Sequence, residues 1–458
     1  MSLATDPLLA PLPAGGPAVE RVARLPGGFT AAGATAGIKA SGTPDLALVV
    51  ASDGPVPAAA VTTPNRFAAA PVRLSRANLS ATGGGVAAAG YARAVVATSG
   101  SANAATGAEG DADQAAIGAS VAAAVGCAPT EVLHLSTGVI GTRLPVELVR
   151  DAVIRVAAGE LAETDDALEA AAVALRTTDS TTKTATTSVE APAAAGGTVP
   201  ITVSGIAKGV GMIHPRMATM LSVVLTDATA DPATLRALLA GAASRTWNQL
   251  SVDGDTSTND TVLVLASGTA GAADAATDAG ARVALGAAIE AVARDLARQQ
   301  AADGEGATAL ITCLVSGAAD DADARAIARA VVASQLVKAA VHGRDPNWGR
   351  VAGAAGNAVV AEAATLEAAG LSAGEAAART GEPAAVDPAR MRIAIAGHLV
   401  YDGAAGGPSR IDKAVVREAM GGREVLIRVD VGLGGGTGEA FGCDLTEGYV
   451  RENSEYTS

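Results

Sequence analysis

A layered α/β fold is the class this sequence predicts, and three observations predict it. Short Val- and Ile-rich runs bounded by Gly, Asp or Ser recur along the chain. Stretches with apolar residues at helical spacing fall between them. The two kinds alternate from one end to the other, as they do where helices cover sheets.

The strand runs are DLALVVAS from Asp45, MLSVVLTDA from Met220, TVLVLAS from Thr261, ALITCLVSG from Ala309, MRIAIAG from Met391 and EVLIRVDVG from Glu424. Among the helices, Asp231-Pro232 supplies an N-cap and a proline at the first helical position, and Leu235, Leu238 and Leu239 share a face. From Val283 to Gln300, Leu285, Ile289, Val292 and Leu296 form a second stripe. DADARAIARAVVASQLVKAAV, from Asp321, predicts a third helix. The stretch from about Thr177 to Pro200 reads as the least structured, with SVEAPAAAGGTVP as a hairpin tip or loop. Residues up to about Leu25 read as a loose extension.

The length, 458 residues, suits two or three domains or one large α/β unit. Hydrophobic residues at 49% against 17% charged supply a core and exclude a disordered chain. Aromatics are only 2%, so Ala, Val, Leu and Ile must build that core. A net charge of −14 repels phosphate backbones and argues against nucleic-acid partners. The three cysteines form no C-x-x-C pair, which excludes a disulfide framework and a cysteine-rich zinc site. The four histidines lack metal-ligand spacing, so no catalytic metal is expected. MSLATDPLLAPLPAGG has no basic region before its apolar stretch, and no run suits a membrane span. The expectation is a cytoplasmic protein with no membrane partner.

Five segments invite chemistry. In KGVGMIHPRMATMLSVVLTDA, from Lys208, a Gly/Pro-rich turn leads to Thr219 just before a strand. Its hydroxyl is placed to attack the Ala218 carbonyl; hydrolysis of the resulting ester would leave Thr219 as a new N-terminus. That α-amine, of reference pKa ~7.7–8.0, can serve as base for its own hydroxyl. The plainer reading is a threonine starting a core strand. In HLSTGVIGTRLP, from His134, Ser136-Thr137-Gly138 can present a hydroxyl and a backbone N–H to an oxyanion, or simply connect a strand to a helix. SVDGDTSTNDTVLVLASG, from Ser251, fails as a calcium loop because, counted from Asp253, its sixth position is Thr258 and its twelfth Val264, leaving a polar loop that feeds a strand. VGLGGGTGEAFGCDLTEGYV, from Val431, lacks a Walker lysine and reads as a glycine-rich hairpin. DPNWGR reads as a turn anchored by Trp348.

Taken in order, GIKASGTPDLALVV, TSGSANAATG, STGVIGTRLP, TTDSTTK, KGVGMIHPRMATML, DGDTSTNDTV, DGEGAT, DPNWGR and CDLTEGYVRENSEYTS resemble the ornithine acetyltransferase family, the ArgJ-type glutamate N-acetyltransferases. The likeness runs from about Gly28 to the C-terminus and implies a layered sandwich of the ArgJ/DmpA type, with helices covering paired sheets. It implies self-cleavage between Ala218 and Thr219 into an α chain 1–218 and a β chain 219–458, assembled as an α2β2 heterotetramer. Thr219 would be the nucleophile and Thr137 with Gly138 the oxyanion pair. Thr177, Lys208, Thr219, Glu305, Asn453 and Ser458 would contact substrate, with Lys208 on an α-carboxylate and Glu305 on an ammonium. The implied reaction moves acetyl from N-acetylornithine to glutamate through acetyl-Thr219, without a cofactor; acetyl-CoA is a further candidate acetyl donor. The sequence departs from the family pattern at Thr98, Ala105, Ala309 and Arg216, the last only three residues before Thr219. Competing expectations are a secondary-metabolism paralogue or amidohydrolase using the same threonine, and an uncut binding or scaffold protein.

Overall fold

The structure, a computed structural model, describes residues 16–214, 220–361, 363–368 and 371–454. Three sheets order the described residues. The first runs Phe29–Ala34, Leu46–Ala51, Ala94–Ser101, Val132–Val139, with only its last pair parallel. The second runs Ala89–Ala92, Val56–Thr62, Thr261–Ala266, Leu221–Thr226, Thr198–Lys208, Lys183–Pro192. Its two central strands, Thr261–Ala266 and Leu221–Thr226, are parallel and buried at every residue. Such two-sided burial explains their unbroken Val/Leu runs.

These two sheets stack face to face. Val49, Val95, Leu133 and Leu135 of the first meet Ile206, Val223, Leu225, Leu263 and Leu265 of the second. Helices Gly107–Val125 and Val146–Gly159 cover the outer face of the first sheet. Helices Pro232–Arg245 and Ala279–Ala302 cover the second. The expected α/β layering is therefore present. Beyond the Ala279–Ala302 helix lies a third sheet, ordered Leu250–Ser251, Gly436–Cys443, Leu310–Ala318, Glu424–Asp430, Arg392–Ile395, His398–Asp402, Gly407–Pro408. It has its own aliphatic core.

Local signals hold where they are strong. Asp231 caps its helix by accepting the Thr234 N–H at 2.7 Å, and the second stripe forms the Ala279–Ala302 helix. Four expectations need correction. The residues before Leu25 are docked from Ala18 onward: the Thr187 hydroxyl donates to Ala18 O at 2.7 Å, Glu20 and Thr186 exchange backbone hydrogen bonds at 2.8 Å each, and the Leu25 N–H reaches Asp165 at 2.8 Å. The stretch expected to be least structured is mostly ladder, Lys183–Pro192 paired in continuous register with Thr198–Lys208, and only the tip between them turns. The third helix is two, Asp321–Ala333 and Gln335–His342, broken at Ser334, whose hydroxyl caps the second by accepting the Val337 N–H at 3.3 Å. The glycine-rich segment after Val431 is no hairpin, because Leu310–Ala318 lies between Glu424–Asp430 and Gly436–Cys443. The chain crosses the end of that strand so closely that a Cβ on Gly436 would sit 2.2 Å from the Asp320 carbonyl carbon. DPNWGR is a turn that opens the Trp348–Gly356 helix, with Trp348 stacked on Tyr401 at 4.7 Å.

Among the described residues, no helix is long and apolar enough to cross a membrane, and no His/Cys/Asp/Glu group has metal-binding geometry.

Candidate active site

A cavity of about 300 Å³ opens where the ends of the first two sheets meet the C-terminal segment. Its size suits an amino-acid derivative. Thr137, Gly138, Thr177, Lys208, Glu305 and Asn453 all line it, although they come from widely separated parts of the chain.

Thr137 and Gly138 lie at the end of the Val132–Val139 strand, where its parallel pairing with Ala94–Ser101 shifts register. Gly138 has φ +128°, and a Cβ on it would fall 2.3 Å from the Gly100 carbonyl carbon. Only glycine fits that close strand approach. The expected turn is thus an irregular strand end. Lys208 ends the Thr198–Lys208 strand opposite Leu221, and its Nζ donates to Thr137 Oγ1 at 3.1 Å.

Glu305 follows the Ala279–Ala302 helix. Its Oε1 accepts from the Thr178 hydroxyl and its Oε2 from Asn453 Nδ2, each at 2.9 Å. Asn453 is carried by the C-terminal helix Glu447–Ser454, itself tied down where the Thr446 hydroxyl donates to Gly306 O at 2.6 Å. The cavity therefore has a cationic pole at Lys208 and an anionic one at Glu305.

The polar loop from Ser251 supports both sides. Asn259 Nδ2 donates to Ala102 O at 2.6 Å and Ser136 O at 2.8 Å, fixing the strand end beside Thr137. Asp253 accepts the Met212 and Ile213 N–H groups at 2.5 and 2.9 Å. Asp260 also lines the cavity; burial pushes its carboxyl well above the usual range, against the pull of the Ser257 hydroxyl and Lys208.

Ala218, Thr219, Arg216 and Ser458 lie outside the described residues. On the described side of that segment, Met220 and Leu221 line the cavity and the Thr261 N–H donates to Met220 O at 2.8 Å.

The ArgJ family model matches residues 30–458. The chain belongs to the ArgJ family. It is 44% identical over 431 residues to the arginine biosynthesis bifunctional protein ArgJ of Thermosynechococcus vestitus, covering 94% of this chain and 96% of the relative. It is 42% identical to the ArgJ protein of Thermus thermophilus, covering 95% and 99% respectively. A crystal structure of ArgJ from Bacillus halodurans is 36% identical, with a TM-score of 0.44, and covers 52% of this chain and 99% of that one.

All five family-derived residues that are described besides Thr177 enter the hydrogen-bonding or wall of one site. Thr177 lines the cavity, but it is the neighbouring Thr178 that binds Glu305. Reasoning from motifs also missed Asp179 and Lys183. Both lie in the quoted TTDSTTK run, and an acid four residues before a lysine was the available signal. Asn259 and Asp260 were seen only as loop polarity.

Proposed function

We propose that this ArgJ-family chain is a glutamate N-acetyltransferase that takes acetyl from N-acetylornithine through a covalent ester on Thr219. The observation that carries this reading is the convergence of Thr137, Gly138, Lys208 and Glu305 on one amino-acid-sized cavity. Thr219 Oγ attacks the acetyl carbonyl, and the Thr219 α-amine takes the hydroxyl proton. The tetrahedral oxyanion is met by Thr137 and Gly138. The C–N bond breaks, the proton passes to the departing amine, and ornithine leaves. The glutamate amine then attacks the ester, and N-acetylglutamate departs as the hydroxyl is restored. Each oxyanion donor is worth about 2.7–4 kcal/mol in comparable acyl transfer. Lys208 suits the α-carboxylate and Glu305 the side-chain ammonium of the donor. Thr177 and Ser458 complete the substrate contacts in this reading.

The reading includes cleavage at Ala218–Thr219, giving chains 1–218 and 219–458 that assemble as α2β2, in the cytoplasm. Met220 and Leu221, the two residues that follow Thr219 in sequence, line the cavity, which supports this reading. That the ArgJ relatives are named bifunctional motivates acetyl-CoA as a second donor.

Intact mass with N-terminal sequencing should find a fragment beginning at Thr219, and Thr219→Ala should lose both cleavage and turnover. Ornithine release from N-acetylornithine should require glutamate; equal release without any acceptor would instead mean hydrolysis. An uncut chain with full activity refutes the nucleophile assignment.

A further inference from the structure

The TTDSTTK run lent only Thr177 to the family-derived site, yet its acid and lysine form a buried ion pair beside the cavity. The side chains of Asp179 and Lys183 are both fully buried. Lys183 Nζ donates to Asp179 Oδ1 at 2.7 Å and to Asp303 Oδ2 at 2.6 Å. Asp179 Oδ1 also accepts the Gly209 N–H at 2.8 Å, and Oδ2 accepts the Thr177 N–H at 3.2 Å. That same Oδ2 lies 3.9 Å from Lys208 Nζ, which reaches Thr137 Oγ1 at 3.1 Å. A chain of four alternating charges, Asp303, Lys183, Asp179 and Lys208, thus ends on the oxyanion hydroxyl.

Burying ions is costly, and apolar residues of similar volume often stabilise such positions as well or better. The chain therefore calls for a reason other than stability. Lys208 supplies one. Burial by itself drives its ammonium toward the neutral form, and Asp179 is the foremost opposing charge. The other groups facing Lys208 are Lys183 from the neighbouring strand Lys183–Pro192, Glu305 from the loop after the long helix, Asp260 from the polar loop, and Lys39 from the N-terminal side. Two of these are cations. Asp260 is held toward its neutral form by burial, and Glu305 already serves Thr178 and Asn453.

We propose that Asp179, clamped by Lys183, is a positioning residue that keeps the Lys208 ammonium charged and turned toward the cavity, so that the site selects amides carrying a carboxylate beside the acylated nitrogen. This rests on the acetyl-transfer reading above.

The test compares kcat/KM for N-acetylornithine with that for N-acetyl-1,4-diaminobutane, the same amide without its carboxylate, using glutamate as acceptor and the processed enzyme. The wild type should prefer the carboxylate by roughly tenfold or more, the worth of one charge-assisted contact. Asp179→Asn should lose most of that preference at neutral pH and regain it on acidification, as Lys208 takes up its proton. An Asp179→Asn enzyme that keeps the wild-type preference at every pH, or that loses both substrates equally, overturns the proposal. Should that variant not fold, the wild type decides alone. Its preference should stay flat from about pH 5 to about pH 7 and decline only on the alkaline side, earlier than for an exposed lysine, because burial lowers Lys208 while Asp179 opposes that shift; a collapse already below about pH 7 shows that Asp179 does not hold the charge. A wild type that transfers no acetyl from N-acetylornithine removes the acetyl-transfer reading and this one together, whereas a wild type that transfers but does not discriminate removes only this one.

Discussion

Lys208 and Glu305 face the same cavity and are equally covered, each about 8% exposed, yet they are held in opposite ways. Lys208 is backed by charges that are themselves buried, Asp179 and behind it Lys183. Glu305 is clasped by two neutral groups at the surface, Thr178 and Asn453. The chemistry of the two heads explains the asymmetry. An ammonium only donates, so a desolvated one needs acceptors, best of all a carboxylate. A carboxylate only accepts, so neutral donors satisfy it without a second charge. One pole is therefore fixed inside the sheet, and the other is set by side chains that water can replace. The cavity should be strict about the group that meets Lys208 and tolerant about the one that meets Glu305.

Short of removing the nucleophile, the largest effect should come from a residue that serves neither pole. Gly138→Ala forces a Cβ to within 2.3 Å of the Gly100 carbonyl carbon at φ +128°, so the strand end must move away from the position proposed to meet the oxyanion. A drop in kcat of about 10²–10³ is expected, with the preference for carboxylate-bearing amides unchanged. A change in that preference instead would mean that the oxyanion pair and the cationic pole are not separable. Next in size is Lys208→Met, which keeps the stem and removes the charge. It should cost roughly 10–100-fold in kcat/KM for N-acetylornithine and far less for the analogue without a carboxylate, in steady-state assays.

The asymmetry between the poles also marks what could be read from the sequence. The strands were legible because Val- and Ile-rich runs such as Thr261–Ala266 announce themselves locally. Their neighbours were not. The glycines after Val431 look like a tight turn, and nothing nearby in sequence says that Leu310–Ala318 lies between the flanking strands. The ladder from Lys183 was hard to see because its Ala, Glu and Pro and the Gly-containing tip dilute the strand signal of its threonines, and its pairing with Thr198–Lys208 and packing on the Ala279–Ala302 helix override that local weakness. At the site, the resemblance supplied Thr137, Gly138, Lys208, Glu305 and Asn453, whose motifs each stand alone as short words. Asp179 and Lys183 escaped because their meaning depends on Asp303, 120 residues beyond Lys183. Thr178 escaped because its neighbour Thr177 fits the same word.

Acid should separate the poles further, with a smaller effect. Burial alone would raise the Asp179 carboxyl, but Lys208 and Lys183 outweigh it and hold it below the usual carboxylate range. A folded-state pKa below the unfolded one means that the stabilisation is complete above the unfolded value, ~3.9, and is lost as pH falls through the folded value. The gap in urea midpoint between wild type and Asp179→Asn should therefore stay constant from neutral pH to about pH 4 and narrow only below it. A gap that closes between about pH 7 and about pH 5 would show that Asp179 is not held down by its two lysines.

The smallest effects belong to the tolerant pole. Thr178→Val removes the hydroxyl that donates to Glu305 Oε1 and leaves the shape nearly intact. A hydrogen bond to a carboxylate is worth about 1.5–3 kcal/mol, toward the lower end where water can replace the donor, so KM for N-acetylornithine should rise about tenfold while kcat holds. Asn453→Ala should do less, because the residue is exposed and water can take its place beside Oε2. The double variant is the sharper measurement. If Thr178 and Asn453 act only by aiming one carboxylate, each loss makes the other matter more, and the combined effect should exceed the product of the two single effects. It should also fall on substrates that present an ammonium to Glu305 and spare those that do not. A combined loss shared equally by both kinds of substrate would mean that the C-terminal helix shapes the whole cavity rather than one pole of it.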